Sequence, residues 1–296
     1  MRLFLLILIL PTYYSAQLLD NRRCEVFSEE PFFYTEFIRD NKIKSIKGLV
    51  STKADLQVIK SKGLTTKFLF DNSGNLIKQF DSFYRGKKKD SSIITYHYDD
   101  DENITIKRMS DSYGFFSYNY TYNNKGDVVR KTYCRDENAT NNKNNFKLKK
   151  QYTIVNETYS YVRSDSSIQK NVLNNHGSVY QKEYYIYDEN RLLIQMIKKL
   201  IVNHKKAETT YKYNDLMKVS EMKTQKDMSK EAYSRFVYEY DKLGNLEVID
   251  EYRNEEFKTH KEVIYDKATF LMKALLVQDV NSNFITITKF TYTFFD

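Results

Sequence analysis

One short pattern returns along most of this chain and restricts what it can fold into. Its fullest copy is Tyr240-Asp241-Lys242-Leu243-Gly244-Asn245-Leu246. Asp at the first turn position accepts a hydrogen bond from the backbone two residues on, and Gly244 takes positive φ without a Cβ penalty. The stretch therefore reads as a type I turn closed by a left-handed residue, the corner of a β-hairpin. Such a turn fixes register: Asp241 falls opposite Asn245, Tyr240 opposite Leu246 and Tyr238 opposite Val248, giving aromatic–aliphatic cross-strand pairs on one face. Aligning on the residue before the turn gives further copies at Phe70, Tyr98, Tyr122, Leu173, Tyr187, Tyr213 and Tyr265. The turn residues that carry the pattern are Asp71, Gly74, Asp99, Gly126, Gly177, Asp188, Asp241, Gly244 and Asp266.

Within each group of copies the anchors lie 24 to 28 residues apart, room for two strands and a second, outer turn. The copy at Tyr187 reads as one residue short, and Leu173 precedes it by only 14 residues. Hairpins joined in sequence give a meander, and because each buries little alone, the sheet must curl or stack to cover its aromatic face. The expected fold is all-β: an antiparallel meander of repeated β-hairpins forming a curled or spiral sheet, with one short N-terminal helix. The 26 Tyr and 19 Phe against 8 Gly and 2 Pro exclude a collagen-like or disordered chain. With 29% charged residues, most strands keep one face in water.

Three segments follow. Residues 1–16 read as a signal peptide, with Arg2, the apolar run Leu3 to Leu10 and a small-residue exit at Ser15-Ala16. Residues 17–63 are expected to hold strands over 32–38 and 43–50, then a helix over 54–60 with Ser51 or Thr52 as N-cap and Gly63 beyond its end. Residues 64–296 form the hairpin-repeat domain, with the Asn-rich stretch 136–145 as a solvated loop. The last strand, Phe284 to Phe295, resembles the closing strand of an outer-membrane barrel, but charged strands such as 221–230 cannot face lipid, so no membrane span is expected. The expected location is exported: periplasm, cell surface or secreted.

The corners resemble the YD repeat of the bacterial rearrangement-hotspot and teneurin-type proteins, whose pattern is Tyr-Asp-x-x-Gly-(Asn/Arg)-Leu. The copy at Tyr240 matches in full; Phe70 and Leu173 replace the Tyr, Asn123, Asn174 and Asn214 replace the Asp, and the copies at Tyr98, Tyr187, Tyr213 and Tyr265 lack the Gly. The resemblance covers residues 64 to 276. It implies a β-sheet spiral that encloses a toxin domain or carries adhesion, with no catalytic residue in the repeat. This chain is short for that family and has no toxin-sized extension, so it is more similar to the short exported members of bacterial envelopes.

Chemistry is sparse. The net charge of +8, which falls by one when Arg2 leaves, is spread over lysine runs at 87–89, 147–150 and 205–206, where Lys blunts strand edges, and no nucleic-acid partner is expected. His97, His176, His204 and His260 stand apart, without metal-ligand spacing, and the acidic turn Asp99 to Glu102 lacks a closing bidentate Glu, so no metal or other cofactor is expected. Cys24 and Cys134, the only cysteines, form a disulfide only if the fold brings them together. Four Asn-x-Thr sequons start at Asn103, Asn119, Asn138 and Asn156. No nucleophile motif or phosphate cradle is present, and the chain is expected not to be an enzyme. The tyrosines suit either a repeat core or an exposed face for stacking on a partner. The expected function is a non-catalytic exported scaffold binding a protein or envelope component; the alternatives are a carbohydrate-binding module with tyrosine-rich faces and a toxin-related or hydrolytic enzyme with a loop-assembled site.

Overall fold

At the fullest corner the Asp241 amide donates to Asn245 O (2.9 Å) and the Gly244 amide to Asp241 O (2.9 Å), while Asp241 Oδ1 accepts from the amides of Leu243 and Asn245 (2.8 Å each). Gly244 has φ +82°. Tyr240 pairs with Leu246, but the next pair is Glu239 with Val248, so Glu247 is an extra, bulged residue and Tyr238 falls opposite Ile249, not Val248. The same one-residue shift follows the corners at Phe70, Tyr98, Tyr122, Tyr187, Tyr213 and Tyr265. A bulge strengthens the right-handed twist of its hairpin, and repeating it at every corner bends the whole sheet in one sense.

The computed structural model of the chain describes residues 17–296 apart from 55, 112, 113, 141 and 283; the expected signal peptide lies outside the described residues. One helix, α1 (Thr35–Asp40), precedes eighteen strands. The first nine are β1 (Ile43–Lys53), β2 (Lys60–Phe70), β3 (Leu76–Arg85), β4 (Lys88–Tyr98), β5 (Ile104–Asp111), β6 (Gly114–Tyr122), β7 (Val128–Asn138), β8 (Leu148–Arg163) and β9 (Ser167–Leu173). The rest are β10 (Val179–Tyr187), β11 (Leu193–Leu200), β12 (Lys206–Tyr213), β13 (Val219–Gln225), β14 (Ser234–Tyr240), β15 (Leu246–Arg253), β16 (Glu256–Tyr265), β17 (Met272–Asp279) and β18 (Phe284–Phe294). Every strand pairs antiparallel with its neighbours in sequence, and β1 also pairs with β18 from Ile43↔Phe294 to Lys53↔Ile285.

The sheet is therefore a closed 18-stranded antiparallel barrel, which corrects the expectation of a curled or spiral sheet. A spiral would leave β1 and β18 with unpaired rows of N–H and C=O groups. An even number of strands in an unbroken meander brings β18 back antiparallel beside β1, and the accumulated twist closes the ring.

A ring of eighteen strands is too wide for its own side chains to fill. Residues 17–42 enter it. The Asp20 amide donates to Phe32 O and the Tyr34 amide to Leu18 O, folding the segment into a narrow loop, and its Leu18, Leu19, Phe32, Phe33, Phe37 and Ile38 are buried. They pack against Phe68, Phe70, Leu76 and Ile94 of β2–β4 and against Val263 and Met272 of β16 and β17. Cys24, Val26 and Phe27 reach the far side, against Tyr238, Leu246 and Ile249 of β14 and β15. A short segment that touches strands around so much of a closed ring lies within it, as a plug.

The helix is also corrected. Residues 54 and 56–59, between β1 and β2, are not helical, and Lys60 already belongs to β2. The single helix among the described residues, α1, falls where a strand was expected over 32–38, because Phe37 and Ile38 must both face the plug's core. The outward face of the barrel alternates with its inward tyrosines and carries exposed Lys47, Lys212, Glu239, Glu262 and Lys289. Ion pairs cross it, including Lys212–Glu221 (2.7 Å) and Arg235–Glu221 (3.6 Å).

Candidate functional site

The corner residues gather on one rim. In a meander, turns after even strands share an end, so the corners at Asp71, Asp99, Gly126, Asp188, Asn214, Asp241 and Asp266 stand side by side where the plug sits. Gly177 follows β9 and lies on the opposite rim, which explains why the Leu173 copy is out of step. The Tyr187 corner is full length: Arg191 takes positive φ in the glycine place, and Tyr187 pairs with Leu193. The carboxylates are occupied within their own turns. Asp99 accepts from the amides of Asp101 and Asn103, and Asp266 is held well below the usual carboxylate range by Lys273 and by the amides of Thr269 and Ala268.

The corner tyrosines serve the wall. Tyr98 donates to Leu76 O (2.8 Å), Tyr122 to Ile104 O (2.9 Å), Tyr213 to Leu193 O (2.8 Å), Tyr240 to Val219 O (2.8 Å) and Tyr265 to Leu246 O (2.9 Å). Tyr161 and Tyr292 do the same to Val128 O and Met272 O. Each acceptor is the aliphatic residue of the preceding corner, so one belt of hydrogen bonds links successive hairpins.

The plug fills the lumen unequally. Its cores engage β1–β5 and β12–β18, and leave the inward face of β6–β11 partly exposed. That face is a tyrosine wall with charged handles. Tyr118 stacks on Tyr133 (centroids 5.0 Å), which stacks on Phe116 (5.8 Å), and Lys131 Nζ lies 4.4 Å from the Tyr118 ring. Lys170 lies 3.9 Å from the Tyr159 ring. Glu157 accepts from the hydroxyls of Tyr159 (2.7 Å) and Tyr180. Glu183 accepts from Tyr185 (2.7 Å) and Gln181 (2.8 Å) and faces Lys170 (3.3 Å).

Burial shifts these groups consistently. It pushes the Tyr159, Tyr180 and Tyr185 hydroxyls above their ordinary range, with the nearby carboxylates adding to it, so at neutral pH they are hydrogen-bond donors. Burial pulls Lys131 down. Burial alone would raise Glu183, but Lys170, the Tyr185 hydroxyl and Lys198 outweigh it and hold the carboxyl below its usual range. Where the plug meets the wall, a cleft of about 670 Å³ opens at the corner rim, lined by Arg23, Tyr98, Glu102 and Tyr122 among others. Lys107 of β5 binds Glu30 of the plug (2.5 Å), and Tyr96 donates to Glu29 O (2.6 Å), fixing the plug against the edge of this wall.

The charged members of the wall, Lys131, Glu157, Lys170 and Glu183, were not singled out from sequence. Their signal was the spacing of two in Tyr118-x-Tyr120-x-Tyr122 and Tyr159-x-Tyr161, which marks a common face but not whether that face looks inward. The cysteines do not meet: Cys24 is in the plug, where burial pushes its thiol up to about 12, and Cys134 is on the outward face beside Asn119 and Thr153. Among the described residues, no three His, Cys, Asp or Glu side chains gather as a metal site, and no helix is long and apolar enough to cross a membrane.

Fold and site define a plugged, closed antiparallel β-barrel with a tyrosine wall in its lumen. No protein family matches the chain, and no curated protein matches it. Among solved structures it is similar to a porin-like protein from Bacteroides uniformis, at 13% identity over 85% of this chain and 98% of that one, with a TM-score of 0.40. A porin-like protein from Bacteroides vulgatus gives 10% identity over 85% and 98%, with a TM-score of 0.35. The TcdB2–TccC3–Cdc42 complex gives 12% over 76% of this chain and 14% of that one, with a TM-score of 0.30. At these scores the likeness carries no functional argument, and the function is read from this chain's own geometry.

Proposed function

We propose that this chain is an exported, non-catalytic binding barrel that faces water and holds a protein or another envelope component against the tyrosine wall of its lumen. The observation that carries the reading is the unequal filling of the ring: the plug covers the lumen-facing side of β1–β5 and β12–β18 and leaves the β6–β11 wall open to a ligand. Tyr offers flat apolar area at small entropic cost, and its hydroxyls, with Lys131, Lys170, Glu157 and Glu183, supply both donors and acceptors. The charged and ion-paired outward face supports a barrel in water, because lipid-facing positions of a membrane barrel are apolar. The apolar run and small-residue exit of residues 1–16 support export, and the likeness of the corners to YD repeats supports a scaffold role.

A photo-crosslinking residue in place of Tyr118 tests this in source cells, with the same residue in place of outward-facing Tyr184 as the comparison. The expected result is an adduct from position 118 only. Equal adducts from both positions, or none from 118, would overturn the reading. A second ligand class, a saccharide, is favoured by stacked Tyr118 and Tyr133 standing near the carboxylate of Glu157, which acts on the Tyr118 hydroxyl. A glycan array with folded protein separates the two, since no binding above background removes the saccharide.

A further inference from the structure

The Asn-rich loop between β7 and β8 does not hang free in water. Lys143 Nζ bonds Asp90 Oδ1 (2.9 Å) and Ser91 O (3.1 Å) on β4, and Phe146 packs on Phe115 (centroids 4.7 Å) and over the Arg108 guanidinium (4.4 Å). The loop thus lies back across the outside of the barrel. Beneath it Arg108 Nε donates to Asp136 Oδ2 (2.8 Å), and Gln151 Nε2 bonds both Asp136 Oδ1 (2.8 Å) and the Ser117 hydroxyl (3.1 Å). The Asp136 side chain is fully buried in these contacts.

Between the loop and the outward face of β2–β6 runs a groove of about 560 Å³. Its walls are apolar: Leu69, Ile77 and Ile93 on the barrel, and Phe115, Phe146 and Leu148 at the loop. Leu148 and Ile77 remain 49% and 37% exposed, so apolar surface faces the opening. The ionisable groups along it besides Tyr96 are Lys78, His97, Arg108 and Lys143, and among the described residues no carboxylate lines it. Asp136 and Asp90, which balance Arg108 and Lys143, are bonded outside the lining. Lys78 has no ion-pair partner among the described residues. Apolar walls with an unbalanced ammonium at the edge select a ligand that is apolar along its body and anionic at one end.

We propose that this groove is a second binding site, on the outside of the barrel, for a small amphiphilic anion such as a medium-chain alkyl carboxylate. Its chain lies between Ile93 and Phe146, and its carboxylate is held by Lys78. Decanoate is the probe, titrated calorimetrically into the full chain at low salt, with decyltrimethylammonium as the cationic counterpart of equal tail. Decanoate binds, and the cation binds at least about tenfold more weakly, the difference expected when a unit charge near an ammonium changes sign at a surface. Lys78→Glu, which breaks no ion pair, weakens decanoate by about tenfold without moving the melting temperature, and Phe146→Ala weakens it by about tenfold while lowering the melting temperature by only a few degrees, the loss of its ring contacts. Tyr118→Ala, in the lumen, leaves decanoate binding unchanged. Equal binding of both probes, unchanged affinity in Lys78→Glu, or loss of binding in Tyr118→Ala would overturn the proposal.

Discussion

Alanine at Gly74 is expected to be the most damaging of four superficially equivalent substitutions. Gly74, Gly126, Gly177 and Gly244 hold the same turn position, with φ of +90°, +77°, +75° and +82°. Left-handed backbone costs an L-residue about 1–2 kcal/mol, and that cost is common to all four. What a methyl group would meet differs. At Gly126 and Gly177 nothing lies within 4 Å. At Gly244 it would come 2.5 Å from Lys218 Cε and 2.7 Å from Gln17 Nε2, the ends of flexible side chains whose mutual hydrogen bond (2.7 Å) would be lost, adding about 1 kcal/mol. At Gly74 it would come 2.2 Å from Thr35 O and 3.0 Å from the Arg39 amide, the backbone of α1. That helix cannot retreat, because Phe37 and Ile38 are buried in the plug, so overpacking adds about 1–3 kcal/mol more. At about 2–4 °C per kcal/mol for a domain of this size, Gly126→Ala and Gly177→Ala lower the melting temperature by a few degrees and Gly74→Ala by roughly 4–20 °C. Thermal unfolding followed by circular dichroism measures this. Equal melting temperatures for Gly74→Ala and Gly126→Ala would refute the seating of the plug against this rim.

Two further outcomes follow from the same interior. The folded-state pKa of Glu183 lies below its ordinary value, so its stabilisation is present above the unfolded carboxylate pKa of about 4.3 and is lost as pH falls through the lower folded value. Glu183→Gln should therefore be less stable than wild type in urea at pH 7 and should lose that difference in strong acid; a gap that does not change with pH contradicts it. Tyr265→Phe should cost about 1–2 kcal/mol by leaving the carbonyl of buried Leu246 without its donor, while Tyr84→Phe, on an exposed hairpin, should cost nothing measurable, and equal effects would remove the belt from the account.

The parts of the fold that were legible are those decided within a few residues. Asp241 reaches only as far as Asn245, so the turn, the hairpin and the antiparallel meander are written in local letters. The bulge at Glu247 is as local, yet it was missed, because turn chemistry fixes the first pair and says nothing about an extra residue one step further. The Tyr187 corner was misaligned because Arg191 supplies the positive φ that glycine signals elsewhere. The candidate site was less legible. The two-residue period of Tyr118, Tyr120 and Tyr122 shows that they share a face, but their chemistry depends on Lys131 and Glu157, which two successive strand pairings, β6 with β7 and β7 with β8, bring beside them.

By itself the sequence determined an all-β chain of repeated Tyr-Asp hairpin corners and a water-compatible charge pattern. The tertiary structure alone decided that the sheet closes, because β1 and β18 meet through pairs about 230–250 residues apart, a distance over which no local pattern carries information. Closure in turn created a lumen too wide to fill, and so gave residues 17–42 their place as a plug and the β6–β11 tyrosines an open wall. Those consequences come from the size of the ring and are written in no single stretch of the chain.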